Sequence, residues 1–100
     1  MGDCSSFAPY ALRVLGDSMI PEFQHGAVIV VEPVSACEDG AYVVIDYAGE
    51  TWFRQFVVHD GRKFLRPLND LYPTVELTQP YQLRGVVVQQ TFQRQRKRYL

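Results

Sequence analysis

The sequence predicts an all-β fold, strongly bent, of about seven short strands, and three observations carry that prediction. Turn signals recur roughly every ten residues, the rhythm of a sandwich or barrel rather than of alternating strands and helices. The runs between them are short and rich in β-branched and aromatic residues, which suit a pleated, half-buried surface. Helical character is confined to one turn around Pro21-Glu22-Phe23-Gln24, where proline suits a first helical position. One hundred residues are enough for one core and too few for two.

The elements follow in order. Ala11-Leu12-Arg13-Val14-Leu15 is a mostly apolar run stopped by Gly16. Ala27–Glu32 is β-branched and ends before Pro33, which has no N–H to give a ladder. Ala41–Tyr47 follows the Asp39-Gly40 turn, and Ala48-Gly49-Glu50 reverses the chain into Thr51–Val58. His59-Asp60-Gly61 makes a second reversal, and Asp-Gly between apolar runs is a strong hairpin signal. Arg62–Arg66 returns and stops at Pro67, Thr74–Thr78 alternates as a short extra strand, and Leu83–Phe92 is the longest strand. Gly85 inside it marks a bulge or the close approach of another backbone. The chain thus divides into an N-terminal extension (1–9), a β domain (10–92) and a basic C-terminal tail (93–100).

Composition narrows the function classes. No apolar run approaches the length of a membrane-spanning helix, and the N-terminus has neither the basic start nor the apolar stretch of a signal peptide. Cys4 and Cys37 stand too far apart for a redox pair, and two histidines supply no metal cluster. A cytoplasmic protein with free thiols, no metal, no cofactor and no membrane contact is expected. The formal charge of −1 hides an uneven distribution. All eleven acids lie before residue 94, with six of the basic residues, whereas Arg94, Arg96, Lys97 and Arg98 crowd the end. Such a cluster suits weak, salt-dependent contact with phosphates, but a solvated terminus is the expected state. Only Lys63 and Lys97 are lysines.

Gly16-Asp17-Ser18-Met19-Ile20-Pro21 is the segment with chemistry in it. A small polar loop joins two apolar strands and sets one hydroxyl, that of Ser18, at a sharp turn. Backbone N–H groups at Asp17 and Ser18 are then placed to face a developing oxyanion. The same residues also suit a plain structural role, Ser18 capping the turn and Asp17 accepting from nearby amides.

This segment, followed by Gly26-Ala27-Val28-Ile29-Val30, resembles the nucleophile signature of the LexA-like S24 peptidases, the self-cleaving family of LexA, phage repressors and UmuD. Signal peptidases share the Ser-Met core, but Phe64–Asn69, Tyr72-Pro73 and Leu83–Val88 resemble the closing segment of the LexA-like proteins. The resemblance spans about residues 10–92. It implies a bent β domain, dimeric through C-terminal strands, with a Ser–Lys dyad in a cleft. In that chemistry a desolvated, neutral lysine takes the serine proton. Ser18 matches the nucleophile. The lysine position, thirteen residues before Pro67, is occupied by Arg54 in Trp52-Phe53-Arg54-Gln55-Phe56.

An arginine stays protonated and cannot act as a general base near neutral pH. Lys63 beside the Asp60-Gly61 turn and Lys97 in the tail are not placed to replace it. His25, seven residues past Ser18, is expected to be a solvated loop residue without an orienting partner, and His59 to face solvent at a hairpin tip. Arg54 is expected to pair with Asp17 or to hydrogen-bond Ser18. The expected function is an S24-type domain with an inactive or weakened site, a pseudoenzyme serving as a binding or dimerisation module in an SOS or phage-type repression setting. The alternatives are an active serine endopeptidase using Ser18 with another base, and an accessory protein of a DNA polymerase. No helix-turn-helix stretch and no Ala-Gly-like linker bond precede residue 10, so the chain is expected to be a free-standing domain or a piece of a longer protein.

Overall fold

The computed structural model describes residues 8–99, and the strands lie close to where the sequence puts them. They are β1 (Tyr10–Arg13), β2 (Val28–Glu32), β3 (Tyr42–Tyr47), β4 (Glu50–His59), β5 (Arg62–Arg66), β6 (Val75–Glu76), β7 (Gln82–Phe92) and β8 (Gln95–Arg98). All pairings are antiparallel, in the order β1-β2-β7-β3-β4-β5-β6, with β8 added along β7. Among the described residues there is no helix, and so none long and apolar enough to cross a membrane. The segment around Pro21 is a run of turns after a cis Ile20–Pro21 peptide, not the helical turn expected there. Most of the expected N-terminal extension, Cys4 included, lies outside the described residues.

Three tight reversals set the register. Ala48-Gly49, Asp60-Gly61 and Gln93-Arg94 all take positive φ at both central positions, the two-residue turn whose twist matches that of paired strands. The last of these corrects the reading of the C-terminus. Residues 95–98 do not trail into solvent but pair with Gln89–Phe92, making eight strands rather than about seven. Beyond them the Tyr99 ring packs 5.5 Å from Phe23 and 5.4 Å from Tyr42. Its hydroxyl donates to Glu22 and accepts from Gln90 Nε2, and Lys97 pairs with Glu22 at 2.6 Å. Burial raises the Glu22 carboxyl, but the Lys97 and Tyr99 hydrogen bonds outweigh it and hold the group below its ordinary value. Burial, reinforced by the Glu22 carboxylate, pushes the Tyr99 hydroxyl far up.

The core has two parts because β3 is covered on both faces. Val44 joins Val14, Met19, Phe23, Ala27, Ile29, Val31 and Val87 on one side. Val43 and Ile45 join Phe56 and Leu65 on the other. Alternate residues of one strand therefore feed opposite cores, as the two-residue period of a strand requires. Phe23, fully buried, meets Tyr42 and Phe53 edge-on, each at 4.9 Å.

β7 binds the halves together and supplies the bend. β3 pairs with its first half, β8 with its second, and β2 runs along its other edge. Two register shifts leave one extra β7 residue opposite β3, at Arg84, and one opposite β2, at Val88. Extra residues of this kind bend a strand and increase its twist. Gly85, expected as a bulge or a close approach, sits between them and is buried. A Cβ there would lie 2.5 Å from the Glu32 carbonyl oxygen and 2.7 Å from Val31 Cγ1. The obstacle is backbone, which cannot swing aside. Gly85→Ala is therefore expected to cost about 1–3 kcal/mol, read as a lowered urea midpoint with the slope unchanged. An unchanged midpoint would remove Gly85 from this role.

Candidate functional site

The Ser18 loop is fixed by hydrogen bonds from both sides. At its start, Val14 N and Gly26 N bond across to Ala27 O and Val14 O, each at 2.8 Å, and Gly16 N donates to His25 Nδ1 at 2.8 Å. Gly16 takes a φ of 93°, so a glycine is needed there. At its far side, Leu68 N and Asn69 N both donate to Ser18 O, at 3.1 and 3.0 Å. Asn69 Nδ2 donates to Asp17 O at 3.0 Å, and the Tyr72 hydroxyl donates to Asp17 Oδ1. Below the loop, Met19 is 1% exposed and anchors it in the core. The backbone N–H groups of Asp17, Ser18 and Met19 have no acceptor among the described residues.

Opposite the loop, β4 delivers Arg54. Its Nη1 donates to Ser18 Oγ at 3.0 Å and to Phe53 O at 2.8 Å. The guanidinium carbon lies 5.1 Å from the Trp52 ring centroid and 6.0 Å from that of Tyr72, a cation held between two aromatic faces. Burial presses its pKa below the ordinary arginine value, and Tyr72 opposes the shift. An arginine so displaced is still fully charged at neutral pH. No carboxylate pairs with it among the described residues, whereas Arg62, Arg84 and Lys97 each have an acidic partner. Arg54 Nε is buried with no hydrogen-bond partner. An unsatisfied buried donor of this kind costs about 1–3 kcal/mol.

Ser18 and Arg54 also border a cleft of about 220 Å³, lined by Leu12, Val14, Ile29, Val44, Trp52 and Phe53. One wall is β1, which pairs with β2 alone; the other is β4. Most of the lining residues are apolar, and Arg13 and Thr51 border the cleft together with Ser18 and Arg54.

The sequence-predicted residues separate clearly in space. Ser18 and Arg54 come together, as one of the two expected arrangements has it. Asp17 does not pair with Arg54, because Tyr72 takes its carboxylate and Asn69 its carbonyl. His25 is exposed, and its Nδ1 is committed to Gly16. His59 meets Asp60 at the hairpin tip, Lys63 reaches the Tyr81 hydroxyl, and Lys97 pairs with Glu22. Sequence reasoning used Asn69 and Tyr72 only as landmarks of register. Their work is to hold the loop, and an asparagine shortly after a strand-ending proline was the available signal for it.

A strongly bent antiparallel sheet with a serine loop facing a cationic side chain beside a cleft defines the peptidase-type fold the sequence resembles. The Peptidase S24-like family matches residues 5–88, and the chain belongs to it. It is 41% identical over 90 residues to an HTH-type transcriptional regulator for conjugative element R391 of Providencia rettgeri, covering 80% of this chain and 40% of that protein. It is 40% identical over 95 residues to Repressor protein C2 of Salmonella phage P22, covering 86% and 42%. It is 32% identical over 90 residues to a LexA repressor of Verrucomicrobium spinosum, covering 88% and 44%. The chain thus spans about two-fifths of the length of these relatives.

If Asn69 holds the loop, Asn69→Ala loses the bond to Asp17 O and loosens residues 16–20 while the sheet stays intact. Amide exchange by mass spectrometry should show faster exchange at Gly16 and Ile20, the loop amides that have acceptors, and no change in β7. Equal protection of the loop in both proteins would contradict the assignment.

Proposed function

We propose that this chain is an S24-type domain that does not cleave peptides and serves as a binding and dimerisation module of a repressor-type regulator. One observation carries the reading: in the place where the chemistry needs a proton acceptor, Arg54 presents a donor to Ser18 Oγ. Attack by the serine requires its proton to leave, and a charged guanidinium has no lone pair to receive it. His25 gives no support to an active enzyme with another base, since the Gly16 amide already occupies its Nδ1. The repressor setting rests on the names of the relatives, among them a phage repressor and a LexA repressor. Incubation at high pH with a peptide carrying an Ala-Gly bond is expected to give no product. Arg54→Lys restores a side chain able to lose its proton, and is expected to restore slow cleavage that Ser18→Ala abolishes. Cleavage by the unaltered chain that depends on Ser18 would overturn the reading.

The homodimer belongs to the same proposal, with the C-terminal hairpin as its seam. β8 presents Gln95, Arg96, Lys97 and Arg98, all exposed, along an edge with no further strand among the described residues. Two such edges brought together across a two-fold axis juxtapose like charges, the device by which edge strands resist pairing. Salt screens that repulsion. The dimer is therefore expected to tighten with added salt, and sedimentation at low and high salt should show it. A monomer at both, or a dimer that salt dissociates, would contradict this seam.

A further inference from the structure

We infer that the Ser18–Arg54 cleft is a receptor for the carboxylate end of a peptide with apolar last residues. The inference rests on the reading that the site does not cleave, and it names what such a site takes instead. The polar groups left without a partner around Ser18 are donors. Arg54 Nη1 already gives its bond to Ser18 Oγ, so the serine hydroxyl proton is free to point elsewhere. Arg54 Nε has no acceptor, and no hydrogen bond engages Nη2 among the described residues. The amides of Asp17, Ser18 and Met19 have no acceptor among the described residues. The acid that could have neutralised the site, Asp17, is turned to Tyr72. A half-buried guanidinium without a counter-ion beside unpaired N–H groups is complementary to an anion, and a carboxylate matches its planar, two-donor edge.

The rest of the cleft selects among anions. Leu12, Val14, Ile29, Val44, Trp52 and Phe53 give a peptide's apolar side chains contact that a phosphate or a free small acid cannot use, and Arg13 and Thr51 also line the space. At about 220 Å³ the space is below the roughly 300–1,000 Å³ of sites for drug-sized ligands. It suits one or two apolar side chains. β1 borders it with an edge that no strand covers among the described residues, so an extended segment has backbone partners along the same wall. An internal peptide bond brings a neutral carbonyl to Arg54. A chain end brings a full negative charge.

The test uses a fluorescently labelled pentapeptide of alanine and valine that ends in leucine, made once with a free carboxylate and once as the amide. Fluorescence anisotropy with the unaltered chain is expected to show the acid binding at least about tenfold tighter than the amide. Arg54→Met, confirmed as folded by its thermal melt, is expected to erase the difference, and Ser18→Ala to reduce it a few-fold. Equal binding of acid and amide, or binding of neither, overturns the inference without needing any variant. Displacement of the peptide by an equal concentration of acetate or phosphate also overturns it, since the site would then recognise an anion alone. Mass spectrometry of both peptides after the titration separates this failure from that of the parent reading. Cleaved peptide means the site is an enzyme; intact peptide without acid preference means only that the ligand class is wrong.

Discussion

The fold depends on a place where a side chain is missing. β2 and β7 lie so close that the Glu32 carbonyl occupies the space a Cβ at position 85 would fill. That contact lets a single strand serve both halves of the molecule. The extra residues at Arg84 and Val88 on either side of it turn β7 through the bend, and β3 and β8 then share one of its edges in succession. With the sheet curved this way, β4 carries Phe53 into the core built on Phe23 and sets Arg54 against the Ser18 loop. Position 54 and position 18 are far apart in sequence, and only the curvature of the sheet makes them neighbours.

Given that neighbourhood, the identity of one residue decides the chemistry. A neutral amine beside Ser18 accepts a proton, and a guanidinium in the same place gives one. The two side chains carry the same charge when protonated and occupy similar volume, so the surrounding loop need not change. Ser18 O still accepts from Leu68 and Asn69, and Met19 still fills the core. What changes is the direction in which hydrogen bonds point. In the proposed non-cleaving site, Arg54 leaves an excess of donors and a positive charge with no acidic partner among the described residues. In a half-buried setting that charge is costly, and it defines what the site will attract.

Much of this was legible in the residues. β5 begins and ends where Arg62 and Pro67 say it should, and β2 to β4 lie within a residue or so of their apolar runs, because Gly and Pro punctuate them. The serine loop was legible from its glycine and its position between two strands. β8 was not. All four of its side chains are exposed, so no alternation of burial marks it, and its turn is made by Gln93-Arg94 rather than by the Asn-Gly or Asp-Gly that such turns favour. The clue was Tyr99, an aromatic residue after a run of charge that had something to pack against. Asn69 was equally silent. Its role depends on a backbone carbonyl more than fifty residues away, and no local pattern encodes that distance. The destination of Asp17 likewise followed from the placement of Tyr72, which only the folded loop reveals.

Trp52 gains a meaning from where it stands. It is the sole tryptophan of the chain, its Nε1 is fixed to Tyr47 O at 3.0 Å, and its ring borders the cleft with the Arg54 guanidinium 5.1 Å from its centre. The emission of an indole shifts with a charge held beside its ring. Neutralising or displacing the guanidinium shifts the light without any added dye. The cleft therefore carries its own optical gauge, and what enters it is announced by the one residue able to fluoresce in that way.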